Sequence, residues 1–148
     1  MTELYRTHVF SAYARASTRW SGDLLALLGF DDVRVNGLHL GSSRFGVQVA
    51  QGCDGLEPLA LFLAALLAFP GTLLLKLPAL LLGVPALVAL NLLRIASLYL
   101  VGLHYPRLFY TVHTDVWQAL YVVAALGCFG VWLAWATSRA AAGHADPR

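Results

Sequence analysis

The sequence predicts an all-α integral membrane protein in which an N-terminal amphipathic helix and a small extramembrane β-hairpin accompany the transmembrane helices. Of its 148 residues, 59% are hydrophobic and 12% are charged, whereas about a quarter of the residues in soluble domains are charged. A bilayer crossing needs about 20 mostly apolar residues, and the chain has three long apolar runs, at residues 58–75, 77–103 and 116–137. We therefore expect a single membrane-embedded domain over residues 1–148. The net charge of +2 gives no reason to expect a nucleic-acid partner.

Residues 8–28 form the predicted amphipathic helix. Apolar side chains recur at helical spacing from Val9 to Leu28, and polar side chains such as Arg15 and Arg19 share the other face. This division is typical of a helix that lies on a membrane surface. The alternative is a crossing helix that turns its polar stripe into the bundle.

Residues 33–50 predict a β-hairpin. Apolar and polar residues alternate on both sides of Gly41-Ser42-Ser43, and alternation around such a turn is typical of two paired strands. Because an open strand edge cannot face lipid, we expect the hairpin to lie outside the bilayer.

Three transmembrane helices follow, and the second contains Pro78 and Pro85, which are expected to kink it. We expect these helices over residues 56–70, 73–103 and 113–137. Three antiparallel crossings bring the start of the first helix, the end of the second and the start of the third to one side.

The sidedness of this arrangement follows from its basic residues. Lys76 and Arg139 lie at the opposite ends of the helices, and cytoplasmic segments are enriched in Lys and Arg. The shared side is therefore expected to face outward.

Cys53 lies between the predicted hairpin and the first crossing helix. Asp54 and Glu57 have the spacing of a capping box, or Glu57 caps a helix whose first residue is Pro58. In either case the helix N-terminus favours a thiolate on Cys53. The alternative is an inert cysteine in a loop at the membrane boundary.

Arg94 is the one charged residue in the run 77–103. A lone arginine in such a run costs at least ~3 kcal/mol, so it is expected to face the protein interior. Asn91 lies three positions earlier on the same helix face and could hold the guanidinium. Because the three apolar runs contain no carboxylate, we favour a catalytic or substrate-binding role over a structural ion pair or a snorkelling side chain.

His113 begins the third helix, at the membrane boundary. A histidine there can accept a thiol proton and later protonate a leaving amine, although a plain surface histidine is the alternative. His104 is a weaker candidate for the same role. Together, Cys53, His113 and Arg94 are typical of a Cys-His pair with a cation that stabilises the oxyanion.

Three motifs resemble the exosortase/archaeosortase family, and most closely its short exosortase H type. They are Gly-Cys-Asp-Gly-Leu-Glu around Cys53, Leu-Asn-Leu-Leu-Arg-Ile-Ala-Ser-Leu-Tyr around Arg94, and Phe109 with His113 and Trp117-Gln118. The resemblance covers about residues 20–135.

The resemblance implies a multi-pass cysteine peptidase/transpeptidase of the bacterial cytoplasmic membrane, with its active site facing outward. Such enzymes recognise a C-terminal sorting tail on exported proteins, made of a short motif, an apolar span and a basic end. The matching catalytic residues are Cys53, Arg94 and His113, and the supporting ones are Asn91, Asp54, Glu57 and Trp117. No metal and no cofactor is expected, and membrane lipid and tailed exported proteins are the expected partners.

Two departures from the family pattern stand out. Asp54 occupies the position where the short type has asparagine, and its negative charge would raise the pKa of the Cys53 thiol. Family members also have a membrane crossing ahead of the amphipathic helix, which makes four transmembrane helices the alternative to three.

Two other functions fit parts of the pattern. A non-enzymatic transport or assembly subunit would use Arg94 and Asn91, and a haem-binding anchor would use His104 and His113. Both predict that Cys53 is dispensable.

Overall fold

The computed structural model describes residues 11–50 and 53–144, with side chains as far as residue 139. Part of the predicted amphipathic helix, residues 8–10, and residues 51–52 therefore lie outside the described residues. The described chain forms four main helices and three short strands in this order: α1 (Ser11–Leu27), β1 (Arg34–Asn36), β2 (His39–Gly41), β3 (Gly46–Gln48), α2 (Leu56–Ala68), α3 (Leu73–His104) and α4 (Trp117–His144). A series of short helical turns, Pro106–Leu108, Phe109–Thr111 and Val112–Val116, leads from α3 into α4.

Two helical segments are long and apolar enough to cross a membrane, Leu73–His104 and Pro106–Arg139. α2 has 13 residues, which at about 1.5 Å per residue gives roughly 20 Å, against a hydrocarbon core of about 30 Å. The fold is thus that of a mostly helical membrane protein with a small sheet. Two of the predicted crossings have the required length, whereas a crossing over residues 56–70, and a fourth crossing, stay predictions.

α2 runs antiparallel to the first half of α3, and hydrogen bonds near both of its ends fix this pairing. The Lys76 ammonium donates to the Leu67 carbonyl at 3.0 Å, and the Asn91 side-chain amide donates to the Asp54 carbonyl at 2.7 Å. Lys76 is 6% exposed, so this cation binds the C-terminal end of α2 inside the protein, where it complements the helix dipole. Asp54 and the neighbouring Cys53 consequently lie at the level of Asn91.

The predicted hairpin is instead a three-stranded antiparallel sheet in the order β1-β2-β3. The turn at Gly41-Ser42-Ser43 is confirmed as the beginning of the β2–β3 connection. A second hairpin precedes it, because β1 and β2 pair around a two-residue loop, Gly37-Leu38. Gly37 has φ of 65°, and a glycine with positive φ at the first loop position suits a tight hairpin.

The sheet packs against α1 and the C-terminal part of α3. Leu40 of β2 is fully buried in a cluster with Leu25 of α1 and Tyr99 of α3. The Phe45 ring covers Gly102 of α3 so closely that a β-carbon there would overlap it. These contacts hold β3 beside the last turns of α3.

α1 turns mostly small residues toward the protein, together with Leu25. Its buried positions are Ala14, Ser17, Thr18, Ser21, Gly22 and Leu25. Trp20 is 50% exposed and Leu27 is 86% exposed. Small residues allow the backbones of neighbouring helices to approach closely. The buried Thr18 hydroxyl donates a hydrogen bond to the Ala14 carbonyl at 2.7 Å. The helix is confirmed, and Arg15 and Arg19 of its predicted polar face are exposed, whereas Ser17, Thr18 and Ser21 are buried. Whether it lies on the membrane surface or crosses the membrane stays a prediction.

Candidate active site

The central feature of the site is a direct contact between Cys53 and His113, whose Sγ and Nε2 atoms lie 3.1 Å apart. Cys53 follows the sheet, and its N–H donates to the Ala50 carbonyl at 3.0 Å. His113 lies in the five-residue π-helical turn Val112–Val116. Such turns widen a helix locally and are frequent at functional sites. Two residues that are 60 positions apart in the chain are thus brought within hydrogen-bond distance.

The His113 ring is held by aromatic packing. It stacks on Phe109, one helical turn earlier, with ring centroids 5.8 Å apart and an angle of 7° between the planes. Phe109 in turn packs against Phe45, the residue just before β3, in an edge-to-face arrangement with ring centroids 5.9 Å apart. Nδ1 of His113 is buried and has no hydrogen-bond partner within the described part of the chain. The ring is therefore oriented by stacking, with Nε2 directed at the thiol.

Arg94 and Asn91 lie in a polar cluster inside the bundle, at 3% and 0% exposure. Asn91 was expected to hold the Arg94 guanidinium, but its amide donates to the Asp54 carbonyl instead. It therefore fixes the loop that carries Cys53. The Tyr121 hydroxyl, beside this loop, donates to the Leu87 carbonyl at 2.7 Å.

The electrostatic surroundings of Cys53 favour the thiol. Burial raises its pKa above the ordinary value, the positive charge of Arg94 lowers it, and the negative charge of Asp54 raises it again, with a net upward shift. That the helix N-terminus favours a thiolate stays a prediction, and burial shifts the pKa of Cys53 in the opposite direction. The predicted influence of Asp54 is confirmed in direction.

The capping interactions predicted for α2 are wrong. Gly55, with φ of 76°, is the N-cap, so the cap position itself has no side chain to accept a hydrogen bond. Asp54 lies one position further out, where one carboxylate oxygen is 3.5 Å from the Leu56 N–H. Pro58 is the third helical residue, a position in the first turn where its missing N–H costs no helical hydrogen bond. The left-handed conformation of Gly55 reverses the chain between Cys53 and α2.

The remaining candidates are placed less centrally. Trp117 is buried at 7% exposure at the start of α4, and Glu57 is exposed in the first turn of α2. His104 is exposed and its Nδ1 lies 3.0 Å from the carbonyl of Leu100 on its own helix. In the described residues no group of three or more His, Cys, Asp or Glu side chains could hold a metal ion.

A cleft of about 390 Å³ opens beside the Cys-His pair. Residues 45–48, at and just before β3, line it together with Ala50, Cys53, Pro106, Phe109 and His113. A larger groove of about 590 Å³ lies between α3 and α4, lined by residues such as Ala79, Gly127 and Trp135, and includes none of the candidate residues. Of these two spaces, only the cleft borders Cys53 and His113.

Comparison with known proteins identifies the family. Residues 5–130 match the family model for transmembrane exosortases (Exosortase_EpsH). The chain belongs to the transmembrane exosortase family. The match covers the motifs around Cys53, Arg94 and His113, so the family resemblance seen in the sequence is confirmed. No curated protein and no solved structure matches this exosortase.

Proposed function

We propose that this exosortase is a membrane cysteine peptidase/transpeptidase that removes the C-terminal sorting tail of exported proteins through an acyl-enzyme on Cys53. The observation that carries the proposal is the 3.1 Å contact between Cys53 Sγ and His113 Nε2. A thiol and an imidazole at this distance are the minimum required for nucleophilic attack with proton transfer. The cleft beside them is open to a polypeptide.

In the first step, His113 Nε2 accepts the Cys53 proton while Sγ attacks the carbonyl carbon of the scissile peptide bond. Because the pKa of Cys53 is raised, the resting pair is a thiol with a neutral imidazole, and the base is needed. The carbonyl oxygen of the tetrahedral intermediate becomes negative. Arg94, whose charge acts on Cys53, supplies the positive charge that stabilises this oxyanion.

In the second step, the intermediate collapses to a thioester. The carbon–nitrogen bond breaks, and the imidazolium of His113 protonates the departing amine, so the sorting tail leaves with a new N-terminus. Water or an acceptor amine then attacks the thioester with His113 again as base, which restores the Cys53 thiol. Hydrolysis and transpeptidation differ only in this acceptor.

The reaction takes place at the outer boundary of the bilayer. α3 has 32 residues, or roughly 48 Å at 1.5 Å per residue, so it exceeds a hydrocarbon core of about 30 Å. The sheet packs on the C-terminal part of α3, and its open edge requires a non-lipid environment. It is therefore this end that projects, with Arg94 and the Cys53 loop near the boundary, in the bacterial cytoplasmic membrane.

The test is processing in cells of an exported reporter that carries the C-terminal tail of a protein encoded beside this one. The variants are Cys53→Ala and, as the matched control, Cys128→Ala, because the other cysteine lies within α4 and lines the groove between α3 and α4. We expect the native chain and Cys128→Ala to remove the tail and Cys53→Ala to leave it attached.

Equal processing by Cys53→Ala would refute the cysteine mechanism. It would then favour a non-enzymatic subunit, for which Arg94 matters and Cys53 does not. Alkylation of Cys53 with iodoacetamide in native membranes shows, independently of any substrate, whether the site is accessible.

A further inference from the structure

β3 is an edge strand whose free side faces the cleft of the active site. The sheet order is β1-β2-β3, so β3 has a strand partner on one side only. Four consecutive residues, 45–48, line the cleft that contains Cys53 and His113. Because side chains alternate between the two faces of a strand, consecutive residues share one cavity only where it borders the strand's edge.

The register shows which backbone groups β3 uses to bind β2. Ser42 N–H donates to the Phe45 carbonyl at 2.8 Å, and Val49 N–H donates to the Leu38 carbonyl at 2.9 Å. Both pairs extend the β2–β3 register. Hydrogen-bonded and non-hydrogen-bonded pairs alternate in an antiparallel ladder. Val47, like Phe45 and Val49 on either side of β3, therefore directs its N–H and C=O groups toward β2.

Gly46 and Gln48 consequently direct their N–H and C=O groups toward the free edge. Among the described residues, neither Gly46 nor Gln48 makes a backbone–backbone hydrogen bond other than those within the sheet. Both residues are exposed. Unpaired backbone groups in this arrangement are a template for one more strand.

The occupant that fits this edge is the extended backbone of the substrate. An added strand lies about 4.8 Å from its neighbour, and Cys53 and His113 line the same cleft as β3. A peptide in this slot would present a backbone carbonyl to Cys53 without recognition of any particular side chain. Gly46 carries no side chain that could obstruct it.

We propose that the substrate segment around the scissile bond binds as an additional strand along β3, with its backbone paired to Gly46 and Gln48. This proposal rests on the proposed function and names how that site recognises its substrate. Main-chain pairing of this kind supplies affinity, while side-chain pockets supply specificity.

The first test removes one outward donor. Gln48→Pro deletes the N–H directed at the cleft and leaves the ladder to β2 intact, because proline is tolerated on the free side of an edge strand. Gln48→Ala is the matched control that loses the side chain and keeps the N–H. We expect Gln48→Pro to process the tailed reporter roughly tenfold more slowly than Gln48→Ala, or worse, because only the proline variant lacks the donor. Equal rates for Gln48→Pro and Gln48→Ala would overturn the proposal.

Cys53 alkylation separates lost binding from lost folding. An unchanged iodoacetamide labelling rate in Gln48→Pro shows that the site is intact, so its slow processing reports the missing donor. If the native chain itself leaves the tail uncut, or Cys53→Ala cuts it, the proposed function fails, whatever the Gln48 variants do.

The second test needs binding only and remains decisive if Gln48→Pro does not fold. A chain with Gln48→Cys, Cys53→Ala and Cys128→Ser is oxidised together with reporters that carry single cysteines at successive positions around the cleavage site. A strand paired with β3 predicts the fastest disulfide at the reporter position opposite residue 48, slower ones at most two positions to either side, and none at the positions between, whose side chains lie on the other face. Equal disulfides at adjacent positions, disulfides at every third or fourth position, or none at all would overturn the proposal.

Discussion

Gly55→Ala is expected to damage both the fold and the site, because Gly55 has two separate reasons to be glycine. Its φ is 76°, in the left-handed region that side chains with a β-carbon disfavour. A β-carbon there would also lie 2.6 Å from the Tyr121 hydroxyl and 2.9 Å from Cγ and Oδ1 of Asn91. Those distances require Asn91 to move, and Asn91 is the residue that binds the Asp54 carbonyl.

Gly37→Ala provides a matched control for the magnitude. Gly37 has a similar φ of 65°, but a β-carbon there would meet nothing within 4 Å. Its substitution should therefore cost only the left-handed conformation, about 1–2 kcal/mol. Gly55→Ala should cost that amount together with about 1–3 kcal/mol of overpacking and about 1 kcal/mol for the disturbed hydrogen bond. We expect a difference of about 2–4 kcal/mol between the two variants.

The assay is unfolding of the purified protein in mixed micelles titrated with a denaturing detergent, with iodoacetamide labelling of Cys53 on the folded proteins. We expect Gly55→Ala to unfold much earlier than Gly37→Ala and to change the labelling rate of Cys53. Equal unfolding free energies for the two variants would show that the packing around Gly55 is looser than described and that the reasoning is wrong.

Three further predictions concern the same site. The alkylation rate of Cys53 should rise at a higher pH than that of an ordinary cysteine, because burial raises its pKa. Asp54→Asn should move this rise to lower pH, and Arg94→Gln should move it to higher pH. Shifts in the opposite directions would contradict the assigned effects of these two charges. Arg94→Gln should also slow tail processing about 100-fold or more if the cation stabilises the oxyanion, whereas a loss confined to protein abundance would indicate a structural role. Asn91→Leu leaves the buried Asp54 carbonyl without its donor and should lower the unfolding free energy by about 1–3 kcal/mol. An unchanged denaturation curve would contradict this prediction.

The parts of the fold that depend on hydrophobic length and on family motifs could be predicted from the sequence. α3 and α4 follow from long apolar runs, and the motifs around Cys53 and His113 identify the family that the comparison confirms. The 3.1 Å contact of these two side chains agrees with antiparallel packing that brings the helix ends together. Their chemical roles stay a prediction.

Local geometry was predicted less well. Each strand of the sheet has three residues, which is too short for the alternation of apolar and polar residues to show how many strands there are. Asn36-Gly37 is a strong hairpin signal that would have revealed the additional turn. The burial of Ser17, Thr18 and Ser21 in α1 contradicts a prediction based on hydropathy, because close helix packing selects small side chains rather than apolar ones. The π-helical turn that positions His113 has no signature in residue periodicity.

The most direct measurement is the mass of the enzyme trapped during turnover with the tailed reporter. The proposed mechanism predicts an adduct on Cys53 with the mass of the exported fragment, joined by a thioester that neutral hydroxylamine releases as a hydroxamate. The adduct should be present in Cys128→Ala and absent in Cys53→Ala. Tail removal by a Cys53→Ala chain, or an adduct that maps to any other residue, would contradict the account.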